Sequence, residues 1–412
     1  MKVTRLQRID RWLGVPFCFL LTLLRSLCGS SRDTEAAPLR NLLFVKLAEQ
    51  GSTVLAYPAI RAAIDMVGRE NVYFIVFDDN RFILDAMGVI PEENVITISL
   101  KSFPLMVFSA LRALRQARRL KLDAAIDLEF FTRGSAALTF LTGAKRRVGF
   151  HPFFGAGPYR GNLMTHRLLY NPYLHTSQTF QAMVQAVDRS AAELPTQNAL
   201  PPAGTDATPQ FSPRPEETEA VRAILQAELG NGSPVILLNP NASDLLSLRR
   251  WPTERYVQLA QKLLAHYPEL RVVFTGAPSE AALMQDLVRQ AGSERCASLA
   301  GKTTLRELLV LFTLADVLVT NDSGPAHFAT LTPIRVVTLF GPETPALYSA
   351  RSGRNMPLWA GLVCSPCVNA FNNRQSPCRN NVCMQSISVN QVFSEVCRAY
   401  DQRARARVEL RS

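Results

Sequence analysis

From residue 41 onward, short apolar runs of strand length alternate with longer stretches whose apolar positions recur every three or four residues. Residues 41–47, 72–77, 95–98, 124–128 and 147–150 read as strands. Residues 54–67, 82–87, 103–120 and 134–141 read as helices, the third amphipathic with an arginine-rich face. A stretch rich in Pro, Ala and Thr follows over 194–215. The rhythm then resumes with strands at 234–239, 270–275, 317–320 and 336–340. Helices are expected at 216–229, 251–267, 279–291, 305–315, 325–331 and 388–403. Largely apolar strands alternating with helices predict an α/β fold with parallel sheets.

A chain of 412 residues, 47% of them hydrophobic, suits two such domains better than one. The expected division is an N-terminal Rossmann-like domain over 39–200 and a C-terminal one over 216–387, with the Pro-rich stretch between them and a C-terminal helix and tail over 388–412. Residues 1–38 stand apart. Arg5, Arg8 and Arg11 precede an apolar run over 13–24, and Arg25 follows it. The run is shorter than the roughly 20 residues a spanning helix needs. It predicts an N-terminal apolar helix lying in the headgroup layer at the cytoplasmic face of an inner membrane, with a polar linker over 30–38.

The formal net charge of +11 points to anionic partners. No long basic stripe with interleaved aromatics is present, which argues against nucleic acid and for phosphates or an anionic membrane. The apolar first strand is not followed by Gly-x-Gly-x-x-Gly, which argues against a nicotinamide-dependent oxidoreductase or epimerase.

Four strand ends carry polar residues suited to chemistry. After 317–320 comes Asn321-Asp322-Ser323-Gly324-Pro325-Ala326-His327. Ser323 and Gly324 let the backbone approach an anion, Pro325 suits a first helical turn, Asp322 can accept from sugar hydroxyls, and His327 can donate to a phosphate or sugar. After 234–239 comes Asn239-Pro240-Asn241-Ala242, then Arg249-Arg250-Trp251-Pro252, where two guanidinium groups are candidates to clamp a diphosphate. After 270–275 comes Gly276-Ala277-Pro278-Ser279-Glu280, with Glu280 a candidate for ribose hydroxyls. After the first strand comes Lys46-Leu47-Ala48-Glu49-Gln50-Gly51-Ser52, in which a carboxylate can act as general base on an acceptor hydroxyl. The plainer alternatives are a capped strand-to-helix turn at 321–327, solvent-facing arginines at 249–250, a helix-dipole partner in Glu280 and a helix-capping loop with Ser52 as the cap.

Together these motifs, with Leu299-Ala300-Gly301-Lys302 and Leu339-Phe340-Gly341-Pro342-Glu343-Thr344-Pro345, resemble glycosyltransferase family 9, the ADP-heptose:lipopolysaccharide heptosyltransferase family. The resemblance covers roughly residues 40–387. It implies a GT-B architecture, two Rossmann-like domains facing a central cleft. It implies donor contacts at Asn241, Arg249, Arg250, Glu280, Ser323, Gly324 and His327, with Asp322 catalytic. It also implies inversion at the anomeric centre without a bound metal or cofactor, the nucleotide-diphosphate sugar being a co-substrate.

One position departs from the family. The residue after the first-turn glycine is typically an aspartate, taken as the general base, and here it is Ser52. A serine is not a base at neutral pH without help. Glu49 is the replacement in the same loop, with Lys46 and Ser52 as neighbours and Asp127 and Glu129 as competing acceptor-side candidates. The expected activity is transfer of heptose or a related sugar from a nucleotide-diphosphate donor, ADP-linked by the resemblance, to a lipopolysaccharide core or other lipid-linked glycan. The alternative is a catalytically weak or inactive nucleotide-sugar-binding protein of the same fold. The spacing of Cys364, Cys367, Cys378 and Cys383 admits a zinc or iron–sulfur site, reduced structural thiols or a redox-labile pair. The resemblance requires no metal there.

Overall fold

The computed structural model describes residues 3–27, 38–152, 157–200, 208–230, 232, 234–242, 244–372 and 374–409. Phe153 and Phe154, most of the 30–38 linker and residues 201–207 lie outside the described residues. The chain divides into two compact units. Unit 1 comprises Met1–Gly204 and Asn369–Arg374, and unit 2 comprises Thr205–Val368 and Gln375–Ser412.

Unit 1 runs α1 (Val3–Leu27), β1 (Leu42–Val45), α2 (Gln50–Leu55), α3 (Tyr57–Val67), β2 (Val72–Phe77), α4 (Arg81–Met87), β3 (Val95–Ile98) and α5 (Phe103–Arg119). It continues with β4 (Ala124–Asp127), α6 (Arg133–Leu141), β5 (Arg146–Phe150), β6 (His166–Leu168) and α7 (Thr176–Val187). The six strands are all parallel, in the order β3-β2-β1-β4-β5-β6. Central β1 is buried at every position, as a strand covered by helices on both faces must be. On one face Ala113 and Ala117 of α5 and Leu138 of α6 pack on Leu43, Val45 and Ala125.

Unit 2 runs α8 (Pro215–Leu229), β7 (Val235–Asn239), α9 (Thr253–His266), β8 (Arg271–Phe274), α10 (Ala281–Ala291), β9 (Cys296–Ser298) and α11 (Leu305–Leu314). Then follow β10 (Val317–Asn321), α12 (Gly324–Phe328), β11 (Arg335–Phe340), α13 (Pro345–Tyr348), β12 (Asn355–Trp359), α14 (Val382–Gln385) and α15 (Val389–Glu409). Its sheet order, β12-β11-β10-β7-β8-β9, is the unit 1 order repeated. Trp251 is fully buried and donates from Nε1 to the Ile387 carbonyl at 2.9 Å. The α15 residues Val392, Val396 and Ala399 belong to the same core, so the C-terminal helix is part of unit 2.

Sequence and structure differ at several elements. The helix expected over 54–67 is two, α2 and α3, meeting at Ala56 just before Pro58, whose ring has no N–H to continue the hydrogen-bond ladder. The helix expected over 325–331 is the short α12 followed by a 3-10 turn, Ala329–Leu331. Strands β6, β9 and β12 and helix α7 were not expected.

The N-terminal segment is helical but is not the apolar helix expected. No helix among the described residues is long and apolar enough to cross a membrane. Helix α1 docks on α6 through Cys18 and Leu21, which pack with Ala136, Ala137, Leu163 and Met164. Asp10 accepts from the Gly134 backbone amide at 2.7 Å and pairs with Arg133 at 3.3 Å, placing a carboxylate at the N-terminal turn of α6. Gly161, at φ +68°, allows a close approach here: a Cβ would stand 2.4 Å from Thr22 Oγ1 and 2.7 Å from the Cys18 carbonyl.

Candidate functional site

In sheets of this order, ligands bind outside the carboxyl ends of the strands where the strand order reverses. In unit 1 that point lies between β1 and β4, paired Val45 with Asp127. In unit 2 it lies between β7 and β10, paired Asn239 with Thr320. All four polar motifs sit at β1, β7, β8 or β10 ends, and the two strongest flank these switch points.

At the unit 1 switch point Lys46 is fully buried. Its Nζ lies 3.2 Å from Glu129 Oε2 and 3.5 Å from Glu49 Oε2. The other Glu129 oxygen accepts from the Leu47 and Ala48 amides at 2.7 and 2.9 Å. Glu129 therefore braces the loop that follows β1, and its side chain is almost wholly shielded. Glu49 is the exception, with a third of its side chain exposed. It sits in the left-handed region at φ 65°, a conformation that costs a non-glycine residue on the order of 1–3 kcal/mol and is held only where neighbours enforce it. Those neighbours are Lys46, the Ser52 hydroxyl, which donates to the Glu49 carbonyl at 2.9 Å, and Arg374, whose Nη1 donates to Glu49 Oε1. Ser52 is thus a support for Glu49 and does not cap α2.

Asp127 is completely buried. It pairs with Arg160 and accepts from the Ser135 hydroxyl at 3.0 Å and the Glu129 amide at 3.1 Å. Burial pushes its carboxyl up to about 6, against the pull of Arg160. Arg160 also donates to the Phe150 and Thr132 carbonyls. A carboxylate enclosed in this way holds β4, β5 and α6 together and is out of reach of an acceptor hydroxyl.

Five aromatic rings of this region pack on one another. Phe130, Phe131, Phe150, Tyr170 and Phe371 form a cluster with ring centroids 5.1–6.2 Å apart. Phe131, Phe150 and Tyr170 are buried, so this cluster is packing within unit 1.

At the unit 2 switch point Asn321 is buried, its Oδ1 accepting from the Trp251 amide at 3.1 Å and the Tyr256 hydroxyl at 3.2 Å. Its Nδ2 donates to the Pro240 carbonyl at 2.7 Å, tying the β7 and β10 loops together. Among the buried side-chain atoms of these loops that make no hydrogen bond are Asn241 Nδ2 and Asp322 Oδ2. The second has only a long contact, 3.6 Å, from Arg249 Nε. Buried polar atoms are ordinarily satisfied, so this pair makes the unit 2 switch point a candidate place for ligand contact. Ser323 precedes α12 with an extended backbone and makes no side-chain cap bond; its hydroxyl donates to the Asn321 carbonyl at 3.1 Å. Gly324 opens α12, and His327 is buried on it.

The two arginines are engaged within unit 2. Arg249 pairs with Glu343, donates to the Asp322 carbonyl at 3.2 Å and so links the ends of β10 and β11. Arg250 donates through Nη2 to the Ala242 carbonyl at 3.0 Å, shaping the loop that carries Asn241. Glu280 Oε2 accepts from the Ala277 amide at 2.6 Å and caps its own turn.

Arg374, Arg160, Glu343 and Asn321 were not among the expected site residues. Asn321 and Glu343 stand inside motifs quoted for the resemblance, and their buried bonding was the unread part. Arg374 and Arg160 lie in irregular segments with no periodic signal. Of the four clustered cysteines, Cys364 and Cys378 are exposed, Cys383 is buried, and burial pushes its thiol up. Among the described residues no group of three or more His, Cys, Asp or Glu side chains is placed to hold a metal ion.

Two six-stranded parallel sheets of Rossmann order, each with polar loops at its switch point, are the architecture of GT-B glycosyltransferases. The profile of glycosyltransferase family 9 (heptosyltransferase) matches residues 110–376, and the chain belongs to that family. The sequence is 28% identical over 171 residues to lipooligosaccharide heptosyltransferase 2 of Campylobacter jejuni, covering 41% of this chain and 52% of that protein. The chain thus spans about half the length of the curated relative it matches. The fold is shared with E. coli ADP-heptose LPS heptosyltransferase II, with a TM-score of 0.68, 19% identity and coverage of 88% of this chain and 99% of that one. It is likewise shared with a family 9 glycosyltransferase from Veillonella parvula, with a TM-score of 0.65, 18% identity and coverage of 89% and 99%.

Proposed function

We propose that this chain is an inverting transferase that moves heptose or a closely related sugar from an ADP-linked donor to a lipopolysaccharide core or similar envelope glycolipid. The observation that carries the reading is the pair of unsatisfied buried atoms, Asn241 Nδ2 and Asp322 Oδ2, at the unit 2 switch point of a family 9 fold. In this reading Asp322, Ser323, Gly324 and His327 receive the sugar and diphosphate, Glu280 faces the ribose, and Arg250 shapes the Asn241 loop. Arg249 stabilises the departing diphosphate by exchanging a carboxylate partner for a phosphate oxygen.

Glu49 is the general base. It takes the proton of the acceptor hydroxyl as that oxygen attacks the anomeric carbon and the bond to the diphosphate breaks. Its partial exposure, set against the burial of Asp127 and Glu129, supports this choice and favours turnover over donor binding alone. No metal or cofactor is required. The acceptor is lipid-linked, and α1 holds the protein at the cytoplasmic surface of the inner membrane.

The test is ADP release and glycolipid mass spectrometry with ADP-heptose and a lipopolysaccharide-core acceptor, with and without chelator. Glu49→Gln is expected to lower kcat about 100-fold or more while donor affinity is kept. Full activity in that variant would remove Glu49 from the role, and absence of donor binding in the native protein would end the reading.

A further inference from the structure

More than half of the exposed large hydrophobic side chains among the described residues lie on two helices of unit 1, α1 and α5. Both rest against α6. Helix α1 does so through Cys18 and Leu21, and α5 through Ala113 and Ala117 and a bond from Arg118 Nε to the Leu141 carbonyl at 2.9 Å. Docking by those faces turns the others outward. Trp12, Phe19 and Leu23 are exposed on the side of α1 opposite Cys18.

Helix α5 departs from an ordinary solvent-facing helix. Its N-terminal half exposes Phe103, Val107, Phe108 and Leu111, with Phe108 61% accessible. Its C-terminal half exposes Arg112, Arg115, Arg118 and Arg119. The helix carries no acidic residue, and among the described residues Arg112, Arg115 and Arg119 make no ion pair. A solvated helix face usually mixes charges of both signs. A block of bare aromatics followed by unpaired arginines is the composition of a helix that inserts apolar side chains at an interface and neutralises anionic headgroups.

We propose that α5 is a second membrane-contact helix, and that α1 and α5 together dock unit 1 on an anionic phospholipid surface. This rests on the membrane association proposed above but assigns the contact to a new element. The charge complementarity selects lipid as the occupant: exposed apolar side chains directly beside four exposed arginines match an acyl boundary lying under anionic headgroups. Neither helix alone is a strong anchor, and two weak contacts on one rigid body reinforce each other.

The test uses full-length protein and vesicles of phosphatidylethanolamine with phosphatidylglycerol, against phosphatidylcholine vesicles, by co-sedimentation. The pairs Phe108→Ser with Leu111→Ser, and Arg112→Gln with Arg115→Gln, are each expected to weaken binding to anionic vesicles about tenfold. Circular dichroism and the donor-induced thermal shift should stay at native values. Phe19→Ser with Leu23→Ser reports on α1 separately. Native-like vesicle binding by both α5 pairs overturns the proposal, as does equal binding of the native protein to neutral vesicles. If only the α1 pair is silent, the α1 anchor fails while the α5 assignment stands.

Discussion

Arg374 donates through Nη1 to Oε1 of Glu49, across 325 residues of sequence, and both belong to unit 1. The same guanidinium lies 5.8 Å from the centroid of the Phe130 ring, so its position is fixed from two sides. Glu49 is thereby held in a backbone conformation that glutamate rarely adopts. If Glu49 is the base, Arg374 is its positioning residue. Arg374→Ala is expected to lower kcat about tenfold with donor KM unchanged, and Arg374→Lys to recover part of the loss. Steady-state kinetics of ADP release would read both, and an effect confined to KM would rule the role out.

The Asp127–Arg160 pair is expected to govern the stability of unit 1. Asp127→Ala leaves a buried guanidinium without its carboxylate and should cost about 3–5 kcal/mol in urea unfolding. The pair also has a pH signature. The folded-state carboxyl is raised to about 6 from its ordinary value, so the native state holds the proton more tightly than the unfolded chain does. Its contribution is therefore full below about pH 4 and lost as the pH rises through about 6. Relative to Asp127→Asn, the native protein should lose stability between pH 4 and pH 7, a trend absent from the variant.

Arg249 stands between Asp322 and Glu343, both nearly inaccessible. Arg249→Met should therefore destabilise unit 2 by about 3–5 kcal/mol, since it strands buried carboxylates. Glu343→Gln, which keeps a hydrogen-bonding oxygen, should cost less. Guanidinium chloride denaturation distinguishes them. Native stability in Arg249→Met would show that the cluster is not held by charge.

Gly301 has φ +74°, and a Cβ there would stand 2.9 Å from Pro278 Cα. Gly301→Ala should cost about 1–3 kcal/mol and disturb the turn that Glu280 caps. A lower melting temperature accompanied by weaker ADP binding in calorimetry would agree with the proposed place of Glu280 beside the nucleotide. A lower melting temperature with unchanged ADP affinity would move Glu280 out of the donor site.

Most central strands were legible because they are continuous apolar runs ended by polar turns: β2 and β3 coincide with the expected 72–77 and 95–98. Strands β6, β9 and β12 were not: β6 alternates in burial, β9 is three residues, Cys-Ala-Ser, with no large apolar side chain, and β12 is Asn-Met-Pro-Leu-Trp, with no buried position. The loop after β10 was recognisable from residue types alone, since Ser-Gly-Pro at a strand end has few backbone solutions. The partners of its side chains were not. Nothing local in Arg249-Arg250 tells which guanidinium meets Glu343 and which meets Ala242, for that depends on contacts 94 and 8 residues away. Arg374 was invisible for the same reason, being placed by Glu49 and the Phe130 ring and not by any periodic pattern.

The excursion of Asn369–Arg374 into unit 1 limits how this protein can be divided. A truncation ending at Gly204 would carry every strand of the first sheet yet lack Phe371, which packs on Phe131 and Tyr170, and the guanidinium that steadies Glu49. Expressing the N-terminal half by itself would thus yield a body with an open aromatic seam, and restoring it would take a hexapeptide supplied in trans or a permuted chain that brings those six residues along.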